Sequence, residues 1–297
     1  MYLAYRKRVP IDLRGISGAA KINCRFLMGV LDSLCSRGYL STFVAKGASM
    51  AVHIGTSGWS YAHWQGLLYP HGVHPAERLA YYVRHYHTVE INSSFYRWPA
   101  DATFTGWYRR TPEAFLITIK APRGLTHRTR LYRPERWLER VLGGLRCLTK
   151  KLGVLLVQLP PDMPWDQARL DYFLRQIPAW LRIALEFRHL SWHREEVFSL
   201  LENYHAAYCV MSGANLPCIL RATAPFVYVR LHGPDAQHLY AGSYSDDNLY
   251  WWAQRIREWT ALQRDVFVYF NNDGFGNALR NAATLEAMLA VGQFDRM

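Results

Sequence analysis

From Val52 onward the chain alternates between two hydrophobic patterns. Short runs rich in β-branched and aromatic residues occur at Val52–Gly55, Thr88–Asn92, Phe115–Lys120, Gly153–Gln158, Arg182–Phe187, Ala207–Met211, Phe226–His232 and Val266–Asn271. These predict strands. Between them, amphipathic spacing predicts helices over Pro75–His85, Ala102–Arg110, Pro134–Lys151, Asp166–Ile177, Arg194–Tyr204, Asp246–Gln263 and Leu279–Ala290. Pro75, Pro134, Asp166 and Asp246 lie at or near helix starts, where a missing N–H or a side-chain acceptor suits the first turn. Eight strands separated mostly by helices imply parallel βαβ units. Eight such units in about 250 residues imply an α/β fold, a (β/α)8 TIM-like barrel. An open doubly wound sheet fits less well, because no G-x-G-x-x-G follows the first strand. The sixth crossover, Ser212–Pro225, offers 14 residues with two prolines, so a short or missing helix is expected there.

Strand parity adds a functional reading. Side chains alternate between the two faces of a strand. Val89 and Ile91 share one face, and Glu90 and Asn92 the other. The same split separates Ile117 and Ile119 from Lys120, Leu155 and Val157 from Gln158, and Leu185 and Phe187 from Glu186 and Arg188. Val227, Val229 and Leu231 oppose Tyr228, Arg230 and His232. Val268 and Phe270 oppose Tyr269 and Asn271, and Val52 and Ile54 oppose His53 and Gly55. One face is uniformly apolar, as a helix layer requires. The other turns polar toward the C-terminal strand ends, where barrel enzymes build their active sites.

The gathered polar set carries three cations, Lys120, Arg188 and Arg230, against two anions, Glu90 and Glu186. A net positive site favours a small anionic ligand, and the arginine fork suits carboxylate or phosphate. Glu90 or Glu186 is the expected acid/base group, with Lys120 and His232 beside them as further catalytic candidates. Lys120 is alternatively a Schiff-base nucleophile, which requires a lowered pKa. His53, Asn92, Gln158, Arg188, Arg230 and Asn271 are expected to bind substrate. A metal held by Glu90, Glu186 and His232 is disfavoured by the three cations, and no cofactor is expected.

Loops on the same side extend the set. Residues 120–133 carry five basic side chains, His127 and no acid, which reads either as a solvated basic loop or as a funnel for an anion. The glycine-containing run from Asn271 to Asn277 enters a helix, a setting that favours anions. Trp59 and Tyr96 offer rings for stacking on a sugar or a base, as do their aromatic neighbours. His189 and His193 are spaced four apart but straddle a strand end and a helix start, so Ser191 is read as a helix cap instead.

Composition sharpens the picture in two places. The 297 residues include 35 Lys and Arg against 23 Asp and Glu, a net charge of +12, and half are apolar. That excludes a disordered chain and raises nucleic-acid binding as an alternative function. Residues 1–49, however, hold eight basic and two acidic side chains, half of the net charge. They are expected to be a basic N-terminal extension or to reflect a mis-assigned start, since Met50 runs directly into a strand; residues 50–297 form the expected barrel domain. No apolar stretch reaches membrane-spanning length. The five cysteines form no C-x-x-C pair, and a cytoplasmic protein is expected.

Seven motifs stand in chain order: Ile-Gly-Thr-Ser-Gly-Trp (54–59), Val-Glu-Ile-Asn-Ser-Ser-Phe-Tyr (89–96), Ile-Lys-Ala-Pro-Arg-Gly-Leu-Thr-His (119–127), Gln-Leu-Pro-Pro (158–161), Glu-Phe-Arg-His-Leu-Ser-Trp (186–192), Tyr-Val-Arg-Leu-His-Gly (228–233) and Tyr-Phe-Asn-Asn (269–272). Together they resemble the uncharacterised YecE-like family, domain of unknown function 72. The resemblance spans about residues 51–291 and implies a barrel-type fold but no mechanism. Where it leads one to expect an acid after strand six, this chain has Ser212. The expected function is that of an enzyme acting on a small phosphorylated or sugar-like anion by acid/base chemistry at the barrel mouth. The alternative is nucleic-acid binding or processing through loop 120–133 and the nearby rings.

Overall fold

The computed structural model describes residues 51–294; the extension expected over residues 1–49 lies outside them. Eight parallel strands form one sheet: β1 (Val52–Thr56), β2 (Thr88–Ile91), β3 (Leu116–Lys120), β4 (Leu152–Gln158), β5 (Ile183–Glu186), β6 (Ala207–Ser212), β7 (Phe226–Leu231) and β8 (Asp265–Phe270). Their order, β1-β8-β7-β6-β5-β4-β3-β2, is that of a (β/α)8 barrel cut between β1 and β2. Only a Ser57–Glu90 bridge crosses that seam. There the Tyr82 hydroxyl stands in for ladder hydrogen bonds. It accepts from the Thr56 N–H at 3.1 Å and donates to the Thr88 carbonyl at 3.0 Å. Gly55 permits the close approach: a Cβ on it would lie 2.4 Å from the Thr88 carbonyl oxygen.

The helices among the described residues are α1 (Arg78–Tyr82), α2 (Ser93–Tyr96), α3 (Asp101–Arg110), α4 (Glu135–Arg146), α5 (Gln167–Leu174), α6 (Glu195–Asn203), α7 (Asp246–Ala261) and α8 (Asn277–Phe294). Asp166 caps α5 as its position predicts, accepting from the Arg169 N–H at 3.0 Å. Ser191 does not cap α6. Its hydroxyl accepts instead from the Trp165 N–H, and Arg194 occupies the cap. The first expected helix shrinks to five residues, and the sixth crossover has no helix, as its length and prolines foretold. No helix among the described residues is long and apolar enough to cross a membrane.

The apolar strand face is buried against the helices. Val89, Ile117, Leu155, Leu185, Val229 and Val268 are all at most 1% exposed, each full burial stabilising the fold by about 1.5–3 kcal/mol. The opposite faces fill the barrel. Val154, Leu156, Ala184, Cys209, Phe226 and Phe267 pack in its lower and middle parts, and the polar residues sit above them.

Candidate active site

Alternation along each strand stacks polar groups inside the barrel in tiers. Deep in the barrel, the Tyr269 hydroxyl bridges Thr88 Oγ1 at 2.7 Å and Thr118 Oγ1 at 2.8 Å. Above it, Glu90, Glu186 and Arg230 are fully buried and joined. Arg230 donates to Glu90 from Nε at 2.9 Å and from Nη2 at 2.7 Å, and to Glu186 from Nη1 at 2.6 Å. Glu90 also accepts from Ser57 Oγ at 2.7 Å and Tyr228 OH at 2.5 Å. Glu186 takes a further guanidinium, Arg188, whose Nε lies 2.5 Å from Oε1. Burial alone would raise the Glu186 pKa, but Arg188 and Arg230 outweigh it and hold this carboxylate well below its ordinary range. Two carboxylates and two guanidiniums thus form a charge-neutral floor.

That arrangement redefines the expected acid/base pair. Glu90 accepts four hydrogen bonds and Glu186 accepts from two arginines, so each carboxylate is engaged by donors from its own fold. Arg230, expected to bind substrate, is buried between them, with Nε, Nη1 and Nη2 each bonded to one of the two carboxylates. The same contacts occupy the acceptors that a metal would need on Glu90 and Glu186.

The top tier is partly open. It holds Asn92, Lys120, Gln158, Arg188 and Asn271 around the buried His232. Arg188 Nη2 lies 3.3 Å from His232 Nε2, and the Asn271 amide lies 3.2 Å from Nδ1. A guanidinium can only donate, so Nε2 accepts and the neutral ring carries its proton on Nδ1, to which Asn271 presents its amide oxygen once the side-chain amide is turned over. Burial, reinforced by Arg230, holds the His232 pKa well below its ordinary value. The ring is therefore neutral and orients Arg188.

Lys120 differs from every other cation of the set. Its Nζ makes no hydrogen bond with a described residue and lies 4.5 Å from the centre of the Phe95 ring. Burial, reinforced by Arg230, pushes its pKa down from 10.5 to about 8. Two acceptors of the tier, Asn92 Oδ1 and Gln158 Oε1, are buried without partners among the described residues. His127 packs edge-on against the other side of this corner, its ring 4.9 Å from Phe95. Burial, with Lys120 and Arg123 adding, lowers the His127 pKa to about 4, so it contributes no charge near neutrality.

His53 lies away from this tier, and Trp59 and Asn277, which follow the C-terminal ends of β1 and β8, are engaged by other side chains. His53 belongs to the opposite end of the barrel: it is the second residue of β1, pairs with Phe267 and stacks on that ring at 4.7 Å. The parity was right, but the residue is too early in its strand to reach the mouth. Trp59 packs edge-on against Trp107 at 5.9 Å, supporting a loop. Asn277 opens α8, where its Oδ1 accepts from Arg280 at 2.8 Å. Tyr96 is 80% exposed beside the mouth. The loop read either as a solvated basic loop or as a funnel for an anion contains a π-helical turn, Gly124–Arg128; Leu125, Thr126 and Leu131 are buried, while Arg123, Arg128 and Arg133 are exposed. Ser57 and Tyr228, which complete the Glu90 cage, escaped the sequence reading. Tyr228 was legible by parity, but Ser57 was not, because it lies past the predicted end of β1.

At position 212 the serine hydroxyl accepts from Tyr244 OH at 3.1 Å, so the missing acid is replaced by a loop contact. Comparisons agree with this architecture. A UPF0759 protein, YunF of Bacillus subtilis (strain 168), is 26% identical over 275 residues, covering 81% of this chain and 95% of its own. The UPF0759 protein YecE of Escherichia coli (strain K12) is 27% identical over 139 residues, 46% of this chain and 48% of its own. A solved structure of a DUF72 family protein from Thermotoga maritima matches with a TM-score of 0.73 and 28% identity, covering 81% of this chain and 99% of that one. The family described as "Protein of unknown function DUF72" matches residues 53–296, and the chain belongs to it.

Proposed function

We propose that this protein is an enzyme acting on a small, hydroxylated anion at the barrel mouth, with Lys120 as its proton-transfer group. The observation that carries this reading is the unpartnered Lys120 ammonium above an ion-paired floor. Since Glu90, Glu186, Arg188 and Arg230 balance one another, the net positive charge of the site resides on Nζ. It is an anchor for a carboxylate or phosphate. With a pKa of about 8, the same amine both gives and takes protons near neutrality, as general acid/base catalysis requires. The unpartnered Asn92 Oδ1 and Gln158 Oε1 suit substrate hydroxyls as donors. Glu90 and Glu186 act here as positioning residues that fix Arg230 and Arg188.

A thermal-shift screen of the full chain against sugar phosphates and hydroxy acids tests this. A ligand bound to the folded state must raise the melting temperature. The shift should vanish in Lys120→Met and persist in Asn277→Ala. Turnover of the hit should rise through about pH 8 as the amine deprotonates. A hit that shifts Lys120→Met as much as the wild type overturns the assignment.

A further inference from the structure

Beside the mouth, with Phe95 and Tyr96 in its wall, lies a cavity of about 770 Å³. Its volume falls within the range of small-molecule sites. Three separate segments bring four arginines to its lining: Arg97 after α2, Arg123 and Arg128 on the π-helical turn, and Arg140 on α4. No Asp or Glu lines it, and none of the four arginines forms an ion pair with another described residue. The nearest acids in sequence, Asp101 and Glu139, are exposed and outside the lining.

Aromatic walls accompany the charge. Trp98 is 7% exposed, and its Nε1 is a buried donor with no partner among the described residues. Trp137 lies flat against the backbone at Gly124, where a Cβ would come within 1.9 Å of the indole. Glycine at 124 is what admits that ring. Ala100 and Thr103, at the start of the ten-residue α3, also line the cavity. No side chain caps that helix end; the Thr103 N–H donates to the Ala100 carbonyl at 2.9 Å, and the Asp101 and Ala102 N–H groups have no partner among the described residues.

Guanidinium forks and an uncapped helix start recognise phosphate, and a planar indole wall recognises a heterocyclic ring. We propose that this cavity is a binding site for a nucleoside polyphosphate, its phosphates on the arginines and its base on the tryptophan wall. The site is distinct from the mouth chemistry and stands whether or not Lys120 transfers protons. A mononucleotide is favoured over a nucleic-acid strand because the four arginines, all exposed to solvent, line one cavity rather than following a groove.

The test is a tryptophan-fluorescence titration of the full chain with ADP, adenosine, pyrophosphate and a ten-residue oligothymidylate. ADP should quench saturably and bind about tenfold tighter than adenosine or pyrophosphate alone. The double variant Arg128→Gln, Arg140→Gln should weaken ADP by about tenfold or more with an unchanged melting temperature. Lys120→Met should bind ADP within about threefold of the wild type, which separates this site from the mouth. The proposal is overturned if ADP gives no saturable quench at millimolar concentration. Pyrophosphate or adenosine binding as tightly as ADP overturns it too, as does an oligonucleotide that binds where ADP does not.

Discussion

Replacing Lys120 with methionine removes a buried charge while keeping the side chain's length, so it measures what this lysine costs the fold. Burial, then Arg230, lowers its pKa from 10.5 to about 8, against the partial compensation of Glu186 and Glu90. Each tenfold change in proton affinity is about 1.4 kcal/mol, so holding the ammonium in the folded chain costs about 3 kcal/mol near neutrality. The sign follows from linkage. The folded pKa lies below the unfolded one, so between about pH 8 and pH 10.5 the unfolded chain binds more protons and stability rises with pH. Lys120→Met should therefore be more stable than the wild type by about 3 kcal/mol near pH 7, and by about half of that near pH 9.5. Urea unfolding at the two pH values reads both numbers. The neutral-pH gain corresponds to about 5 °C in melting temperature for a chain of this size. A variant no more stable than the wild type near pH 7 would refute the reasoning, because the ammonium would then not be desolvated. An advantage that is the same at both pH values would refute it too, because the gain would then come from packing. Stability surrendered at a single open-tier residue is the pattern expected where function opposes folding.

Tyr82→Phe deletes the hydroxyl that spans the β1–β2 seam and leaves a buried N–H and carbonyl without partners; a loss of about 3 kcal/mol in denaturant unfolding is expected. Unchanged stability would mean that the two strands close on each other without it. Glu90→Gln leaves Arg230 short of one counter-charge in the barrel interior, so it should cost about 3–5 kcal/mol. A loss below about 1 kcal/mol in the same assay would contradict its structural role. Burial raises the Glu286 pKa from 4.5 to about 7. The folded chain therefore binds this proton more tightly, and stability falls as pH rises from 4.5 to about 7. Glu286→Gln should raise the melting temperature above about pH 7 and lose that advantage toward pH 4.5; an equal gain in acid and base would sink the assignment.

Much of the fold was legible because a barrel repeats one local rule. Leu155 and Val157 against Leu156 and Gln158 already say which face meets the helices, and eight such strands leave few topologies. Boundaries were less legible. Pro75 suggests a long first helix, yet the chain turns until Arg78 before five helical residues form. Turn and tertiary contacts override propensity at that scale. The arginine–tryptophan cavity was half visible: its loop was basic, and Trp137 and Arg140 lie three apart on a predicted helix face. Their convergence with Arg97 required the chain to fold.

The sequence by itself determined the barrel, the inward parity of Glu90, Lys120, Glu186 and Arg230, and the apolar outer face, because all follow from a two-residue period and from burial. Height along the barrel axis is a different quantity. It depends on strand stagger, which placed His53 at the wrong end and lifted Lys120 to the open tier. Only tertiary structure decided which charges meet. Arg230 lies 140 residues from Glu90 and 44 from Glu186. Once it was buried between them, desolvation bound all three into the floor and left Lys120 as the unpartnered charge above.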